Sequence, residues 1–255
     1  MLVKDQYLVS SRTDVGLLRQ YNEDSLYVCS IDDDISSKGL LLGVADGMGG
    51  HNGGDVASQM AVKAVGEYYS SESAVTDSTS VQEVMIRLVQ KANSSIYAAS
   101  TEDCSLSGMG TTLTSVCVRE EEAFLAHVGD SRAYLFREGV LTQLTDDHSL
   151  VAQAVREGIL TPEQAARHPQ RNIITRALGT KDNVEVDSLV INIQKDDILL
   201  LASDGLHGFV SDEQITEIMG KSSECLDDMT DDLVRAALEK GGPDNVTVVL
   251  VKIGG

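Results

Sequence analysis

The order in which strand-like and helix-like segments follow one another is the feature that most constrains the fold of this chain. Apolar runs with strand character come in groups, and between the groups lie pairs of segments whose apolar residues recur at helical spacing. The predicted strands cover residues 6–11, 25–29, 39–45, 111–119, 123–128, 132–137, 140–144, 184–193, 197–202 and 246–253, and the predicted helices begin near residues 57, 81, 211 and 226. Elements that come in runs, rather than in strict alternation, predict an α+β fold with antiparallel sheets.

We predict a single domain over residues 1–255, because no linker or shift in composition divides the chain. Its 255 residues would suit one large domain or two small ones. Apolar residues make up 42% of the chain, a share typical of globular proteins that argues against disorder. The segment 145–180 is more polar, contains Pro162 and Pro169, and carries two short helical patterns. It is predicted to be an excursion between strands, of the kind that often shapes a functional site.

The charge balance disfavours several classes of function. The chain has 20 Lys and Arg against 40 Asp and Glu, a net charge of −20. Such a field repels nucleic acid and anionic membranes, so neither is predicted as a partner. An anionic substrate would need a local positive group, for which a bound divalent cation is the obvious candidate.

The cysteines and the N-terminus point to the cytoplasm. The four cysteines lack CxxC spacing and are predicted to be reduced thiols. No secretory signal is recognisable, and no apolar stretch approaches the 18 residues that a membrane span needs.

Acidic residues recur where an apolar run meets a turn. The positions are Glu23 and Asp24, Asp46, Asp130, Asp204 and Asp244. Any one of them could be an ordinary turn residue, since Asp-Gly and Asp-Asn form turns readily. If they converge, however, they cannot all ionise without a counter-charge, and an all-oxygen ligand set selects Mg²⁺ or Mn²⁺, with Ca²⁺ as an alternative, rather than Zn²⁺. Arg19, four residues before Glu23, has a planar fork that suits a phosphate, although a surface arginine would fit its position as well.

Seven segments then give a specific resemblance. They read TDVG at 13–16 with RQYNED at 19–24, VADGMGGH at 44–51, GMGTT at 108–112, HVGDSR at 127–132, ITRALG at 174–179, LLASDGL at 200–206 and DNVT at 244–247. In this order they resemble the metal-dependent Ser/Thr protein phosphatases of the type 2C (PPM) family, and most of all its compact bacterial members. The resemblance implies a β-sandwich of two antiparallel sheets flanked by pairs of helices, with a flap subdomain at about 145–180.

The resemblance also implies a centre with two Mn²⁺ or Mg²⁺ ions, to which bacterial members often add a third. Asp46 would bridge the two ions. Glu23 and the Gly47 carbonyl would bind one ion, and Asp204 and Asp244 the other. Asp24 would hold bound water, Asp130 would bind the third ion together with Asp204, and Arg19 would bind the phosphoryl group.

The implied reaction is hydrolysis of phosphoserine and phosphothreonine in proteins. A water molecule that bridges the two ions would attack phosphorus in line with the leaving oxygen. The implied partners are phosphorylated proteins and a cognate Ser/Thr kinase, and we expect a monomer. Many eukaryotic members have a histidine where this chain has Met48. His51 is a candidate to protonate the leaving group; the alternatives are that it only shapes the loop and that a metal-bound water supplies the proton.

Other interpretations fit the residues less well. Residues 129–133 nearly match the GxSxG elbow of serine hydrolases, but a strand-like run follows the serine where the elbow needs a helix. The glycine-rich stretch 47–54 lacks both the GxGxxG pattern and the lysine of a P-loop. The acidic run 32–34 lacks the glycine and glutamate of a calcium loop. A non-catalytic regulatory or scaffold protein on the same fold is the remaining alternative, although such proteins usually lose acidic ligands that are all present here.

Overall fold

The computed structural model of the chain describes residues 2–4, 6–30, 35–49, 53–67, 78–221 and 225–254. The strands are β1 (Leu2–Lys4), β2 (Tyr7–Asp14), β3 (Asp24–Val28), β4 (Leu40–Met48), β5 (Gly110–Thr111), β6 (Leu113–Arg119), β7 (Glu122–Val128), β8 (Arg132–Arg137), β9 (Val140–Gln143), β10 (Asp187–Asn192), β11 (Ile198–Ala202) and β12 (Val246–Ile253). The α-helices are α1 (Ile35–Lys38), α2 (Gly54–Gly66), α3 (Ser78–Glu102), α4 (Leu150–Arg156), α5 (Pro162–Ala166), α6 (Asp204–His207), α7 (Asp212–Lys221) and α8 (Leu226–Glu239), and a 3₁₀ turn covers Cys104–Leu106. Within these ranges no helix combines the length and the apolar character that crossing a membrane requires.

The strands form two antiparallel sheets that pack face to face. The first sheet has the order β1-β2-β12-β11-β8-β9, and the second has the order β10-β7-β6-β4-β3, with β5 paired to β4. Every pairing in both sheets is antiparallel. The predicted antiparallel sandwich is therefore confirmed.

The apolar runs are continuous because the central strands are buried on both faces. Along β4, Leu40 and Leu42 point into the core between the sheets, whereas Leu41 joins the core beneath α2 and α3. Along β11, Leu199 and Leu201 face the other sheet, and Leu200 packs with residues of α6, α7 and α8. Because side chains of a strand alternate between faces, a strand covered on both sides reads as an unbroken apolar run. The predicted pairs of flanking helices follow from this pattern.

Strand β4 extends further than the sequence predicted. Asp46-Gly47 was expected to form a turn, but Gly47 pairs with Thr111 and Met48 pairs with Gly110 of β5. Asp46 is therefore held inside a strand, opposite Asp24 of β3. The prediction of a turn was wrong because β5 has only two residues, too few to show any periodicity in the sequence.

The segment 145–180 lies outside the two sheets and contains α4 and α5. Ser149 caps α4 by accepting a hydrogen bond from the amide of Ala152, and Thr161 and Gln164 form a reciprocal capping box at α5. At the base of the segment, the His148 amide donates to the Gly129 carbonyl over 2.8 Å and the Thr175 amide donates to the His148 carbonyl over 2.7 Å. These bonds attach the segment beside the turn that carries Asp130.

Candidate metal and phosphate site

The acidic positions lie at one end of the sandwich and come from both sheets. Asp24 and Asp46 belong to neighbouring strands of the second sheet. Asp130 lies in the turn between β7 and β8, and Asp204 begins α6 directly after β11. Asp244 lies just before β12, in the first sheet. The end of the sandwich therefore brings together acids that are distant in the sequence.

The carboxylates are close enough to change one another's proton affinity. Burial raises the pKa of Asp24 to about 7, and the charges of Asp204 and Asp244 add to this effect. Burial likewise raises the pKa of Asp130 to about 8, assisted by the charges of Asp204 and Asp147. Both side chains are among the buried polar residues of the protein. Without a cation, this end of the protein holds protons that ordinary carboxyl groups release near pH 4.

Asp46 and Asp204 lie at the centre of this interaction. Burial raises the pKa of Asp204 to about 6, the Asp244 charge adds to it, and a hydrogen bond with Asp46 opposes it. The pKa of Asp46 is raised well above its usual value by burial, and then by the charges of Asp24, Asp204, Asp130 and Asp244. Although the surrounding protein removes much of their hydration, both residues keep a partly exposed surface. A solute can therefore reach them, as it can reach Glu23 and Asp244, which are also partly exposed.

The chemistry of these donors fits a divalent cation. Oδ2 of Asp24 accepts a hydrogen bond from Ser203 Oγ over 2.7 Å, but Oδ1 of Asp24 and Oδ1 of Asp130 are buried with no hydrogen-bond partner in the described part of the chain. Such orphaned oxygens are costly, and a cation, or water held beside a cation, would satisfy them. As the described side chains stand, no three acidic, histidine or cysteine residues make a group that could hold an ion. An ion would therefore have to draw the carboxylates together around itself.

Glu23 lies where the two sheets and α2 meet. Its amide donates to Asn245 Oδ1 over 2.8 Å, and its carbonyl accepts from the Gly47 amide over 3.2 Å. A Cβ atom at Gly54 would lie 2.7 Å from Glu23 Oε1, and one at Gly47 would lie 2.1 Å from the Gly54 carbonyl. Glycine at both positions therefore lets the first turn of α2 approach β4 and the Glu23 carboxylate.

Arg19 lies on the loop of residues 15–21, which we call the Arg19 loop. Its Nη2 donates to Oδ2 of Asp244 over 2.8 Å, and 48% of its side chain is exposed. This hydrogen bond, together with the charges of Asp244, Glu23 and Asp204, raises the pKa of the guanidinium. Arg19 is therefore a fixed positive charge at the edge of the acidic cluster.

Asn245 was predicted only as part of the DNVT motif, yet its side chain holds the Arg19 loop and the Glu23 backbone in place. Its Nδ2 donates to the carbonyls of Val15 and Tyr21 over 2.9 and 3.0 Å, so it clamps both ends of the Arg19 loop. Its Oδ1 binds the Glu23 amide. Its position next to Asp244 was the signal available in the sequence.

Ser203 was likewise missed by the sequence reasoning. It links the sheets, because its hydroxyl donates to Asp24 while accepting from the Thr247 amide over 2.9 Å. In the sequence Ser203 stands within the segment LLASDGL, and its position next to Asp204 was the signal available. Ser203 therefore orients Asp24 from the opposite sheet.

The turn around Asp130 is supported by residues near the base of the 145–180 segment. The Gly129 amide donates to His148 Nδ1 over 3.0 Å, and His148 Nε2 bonds to Asp187 Oδ2 over 3.1 Å. Arg132 makes two bonds of 2.8 Å to the carboxylate of Asp147, a bidentate pair that fixes the far side of the turn. These contacts hold the turn that carries Asp130.

A cavity of about 410 Å³ opens between α4, α5 and the acidic cluster. Asp130 and Asp204 contribute to its lining, together with the Arg132–Asp147 pair and His207. The excursion therefore borders the candidate site. His51 lies outside the described residues, so its predicted role as proton donor stays a prediction.

Gly205→Ala should destabilise the fold and disrupt the site together. A Cβ atom at position 205 would lie 1.8 Å from the Asn245 carbonyl oxygen, so the segments that carry Asp204 and Asp244 would have to separate. We expect a loss of about 2 kcal/mol in the free energy of unfolding, measured with denaturant. The matched control is Gly220→Ala in α7, where the nearest atom lies 3.9 Å away and alanine should stabilise the helix. Equal stability of the two variants would contradict the close packing at Gly205.

Known proteins resemble the chain in sequence and in structure. A family model described as Protein phosphatase 2C matches residues 19–240. The chain is 41% identical over 241 residues to "Serine/threonine phosphatase stp" of Listeria monocytogenes serotype 4b (strain F2365), and the match covers 94% of each protein. It matches the crystal structure of serine/threonine phosphatase Stp1 from Staphylococcus aureus with a TM-score of 0.90 and 35% identity, over 97% of this chain and 95% of that one. It also matches the catalytic domain of the phosphatase PstP in complex with two manganese ions, with a TM-score of 0.84 and 37% identity, over 98% and 99% of the chains.

Proposed function

The chain belongs to the protein phosphatase 2C family and is a serine/threonine protein phosphatase, and we propose that the acidic end of its sandwich is the catalytic site. The observation that carries this proposal is the gathering of carboxylates from both sheets, with raised pKa values and two orphaned oxygens. Carboxylates that destabilise one another in the absence of a cation are suited to bind one. The two manganese ions bound to PstP are consistent with this use.

We assign the metal ligands as the resemblance implied them. Asp46 would be shared by two ions, Glu23 and the Gly47 carbonyl would bind one, and Asp204 and Asp244 would bind the other. Asp130 would hold a third ion together with Asp204, and Asp24 would hold water near the ions. When bound, Mn²⁺ or Mg²⁺ activates water and neutralises the charge of the phosphoryl group. The donor set, which consists of oxygens alone, supports this choice of metals.

Arg19 would bind and orient the phosphoryl group of the substrate. One of its nitrogens binds Asp244, and the other N–H groups of its fork have no further hydrogen bond among the described residues. A guanidinium that donates to a carboxylate through one nitrogen can still donate to a phosphoryl oxygen through its remaining N–H groups. On a protein with a net charge of −20, Arg19 supplies positive charge where a phosphate must approach.

The cavity beneath α4 and α5 supports a role for the 145–180 segment as a flap beside the substrate. It opens next to Asp130 and Asp204, on the side of the cluster formed by the turn after β7. We propose that the phosphorylated protein passes between this flap and the Arg19 loop. Action as a monomer in the cytoplasm, against the product of a cognate Ser/Thr kinase, stays a prediction from the sequence.

Hydrolysis of a phosphothreonine peptide tests this proposal directly. Protein stripped of metal should be inactive, and addition of Mn²⁺ or Mg²⁺ should restore phosphate release, whereas Ca²⁺ or EDTA should not. The ions are needed because the carboxylates and Arg19 alone leave most of the transition-state charge unbalanced. If the folded protein releases no phosphate with any ion, the non-catalytic scaffold interpretation would replace this one. Metal-binding calorimetry would then show whether the acidic cluster still binds ions.

A further inference from the structure

The Arg19 loop exposes an unusual amount of apolar surface. Leu17, Leu18 and Tyr21 are 65%, 72% and 69% exposed, and Val15 is 36% exposed. Four of the nine large hydrophobic residues that are exposed in the described part of the chain thus lie within seven residues. Single exposed apolar residues are ordinary, but a cluster of them marks a surface that meets another molecule.

The loop is held in place before anything binds to it. Asn245 clamps the carbonyls at its two ends, and the Leu17 amide donates to the Gly242 carbonyl over 2.7 Å. Gly16 has φ +77°, and its amide binds the carboxylate of Asp14 over 2.8 Å. A preorganised loop loses little conformational entropy on binding, so its exposed side chains can contribute more to affinity.

The position of the Arg19 loop indicates that its apolar side chains contact the substrate. Arg19, which we propose binds the phosphoryl group, lies between Leu18 and Tyr21, so these side chains start within about 7 Å of the Arg19 Cα. An extended peptide advances about 3.3 Å per residue. The residues of a substrate within about three positions of the phosphorylated residue would therefore reach the apolar side chains of the loop.

Arg19 is the one charged residue of the loop, so the loop's other side chains cannot form ion pairs with a substrate. The loop's other residues, from Val15 to Tyr21, are uncharged, and the protein as a whole repels acidic segments. Tyr21 adds an aromatic ring, the kind of side chain that often contributes most to a binding interface. Apart from Arg19 and the amide of Gln20, the exposed side chains of the loop on this side of the phosphate are apolar, so we expect the substrate to make mainly apolar contacts there.

We propose that Leu17, Leu18 and Tyr21 form a docking surface for apolar side chains next to the phosphorylated residue of a substrate protein. The proposal rests on the proposed function, because it uses the phosphate on Arg19 to fix the position of the peptide. It assigns a substrate class: phosphoserine or phosphothreonine with aliphatic or aromatic neighbours. Leu17 also has a packing role, since it lies against Gly242 near Leu238, so Leu18 and Tyr21 are the positions to test.

The test compares two phosphothreonine peptides of equal length and charge, one with Leu and Phe and the other with Ser and Gly around the phosphothreonine. The metal-loaded protein should hydrolyse the apolar peptide with about tenfold higher kcat/KM, mainly through a lower KM. In Leu18→Ser and Tyr21→Ser the ratio of kcat/KM values should fall towards one. Val140→Ser on β9, which removes an apolar side chain that is 61% exposed, should leave the ratio at its wild-type value.

The outcomes separate this proposal from the proposed function. If the wild type hydrolyses both peptides with equal kcat/KM, the docking surface is wrong although the enzyme is a phosphatase. If Leu18→Ser and Tyr21→Ser keep the wild-type ratio, or lose kcat on both peptides alike, the assignment to these side chains is wrong. If neither peptide nor a single acetylated phosphothreonine is hydrolysed, the proposed function itself fails.

Discussion

Asp204→Asn should remove most of the phosphatase activity while it stabilises the metal-free protein. Asp204 begins α6 at the centre of the acidic cluster, where it bonds to Asp46 and where burial and the charge of Asp244 raise its pKa to about 6. An amide of the same shape cannot supply the negative charge that a divalent cation needs. We expect kcat/KM to fall by at least about 100-fold, as when a single electrostatic contact to the transition state is removed.

The gain in stability distinguishes a functional carboxylate from a structural one. Above pH 6 the Asp204 carboxylate is ionised beside Asp244 in the native state, and the substitution removes this repulsion. Removal of a purely structural residue would lower activity and stability together, whereas residues kept for function commonly lower stability. The measurements are phosphopeptide hydrolysis with Mn²⁺ and denaturant unfolding in EDTA at pH 7.5.

Asp232→Asn provides the matched control for this prediction. Asp232 lies on α8, where it pairs with Arg235 on the surface, and such a pair contributes little to stability. Asp244→Ala is a companion variant that should also lose most of its activity, because it removes a proposed ligand and the partner of Arg19. Turnover close to that of the wild type in Asp204→Asn or Asp244→Ala would remove that residue from the proposed metal site.

The sequence could predict an α+β fold with antiparallel sheets because local patterns reveal its strands and helices, whereas the sandwich itself was implied by the family resemblance. Continuous apolar runs such as Leu40–Leu42 signal strands buried on both faces, and helical spacing from Val81 to Ile96 signals the helix that covers one face. The acidic residues at strand ends were likewise visible, because each follows or precedes an apolar run. Local patterns carry this information since the period of a strand or helix spans only a few residues.

The contacts that build the site could not be predicted in the same way, because they join residues far apart in the sequence. Ser203 binds Asp24 across 179 positions, and Asn245 binds Glu23 across 222 positions. Neither contact has a periodic signal, since each depends on how the two sheets stack. The short strand β5, which keeps Asp46 inside β4, was missed because its two residues are too few to show a period. Only the complete fold shows which acidic residues lie close enough together to affect one another.

The stability of the metal-free protein should fall as the pH rises from about 6.5 to 8. In this interval the native state still holds protons on Asp24, whose pKa is raised to about 7, and on Asp130, whose pKa is raised to about 8, in both cases chiefly by burial. The same groups in the unfolded chain have lost their protons by about pH 5. Since a native state that binds more protons is stabilised at low pH, the free energy of unfolding declines as these pKa values are passed.

Buried histidines determine where this decline can be observed. Burial lowers the pKa of His127 to about 4 and of His207 to about 3, whereas the unfolded chain binds protons on both below about pH 6.5. Their contribution to stability therefore rises with pH up to about 6.5 and opposes that of the carboxylates. Above this value the unfolded histidines bind progressively fewer protons, so the carboxylates dominate and should lower the free energy of unfolding by an amount on the order of 2 kcal/mol between pH 6.5 and 8.

Denaturant unfolding in EDTA and in saturating Mg²⁺, at several pH values between 6 and 8, measures this dependence. Mg²⁺ should remove the decline, because an ion bound to the carboxylates supplies the positive charge that protons supply in its absence, and its affinity rises as those protons leave. Asp130→Asn should reduce the slope in EDTA, since it removes the carboxylate whose pKa is about 8. A free energy of unfolding that is constant or rises with pH in EDTA would contradict the raised pKa values of Asp24 and Asp130. It would also contradict the argument that the ionised carboxylates need a cation to balance their charge.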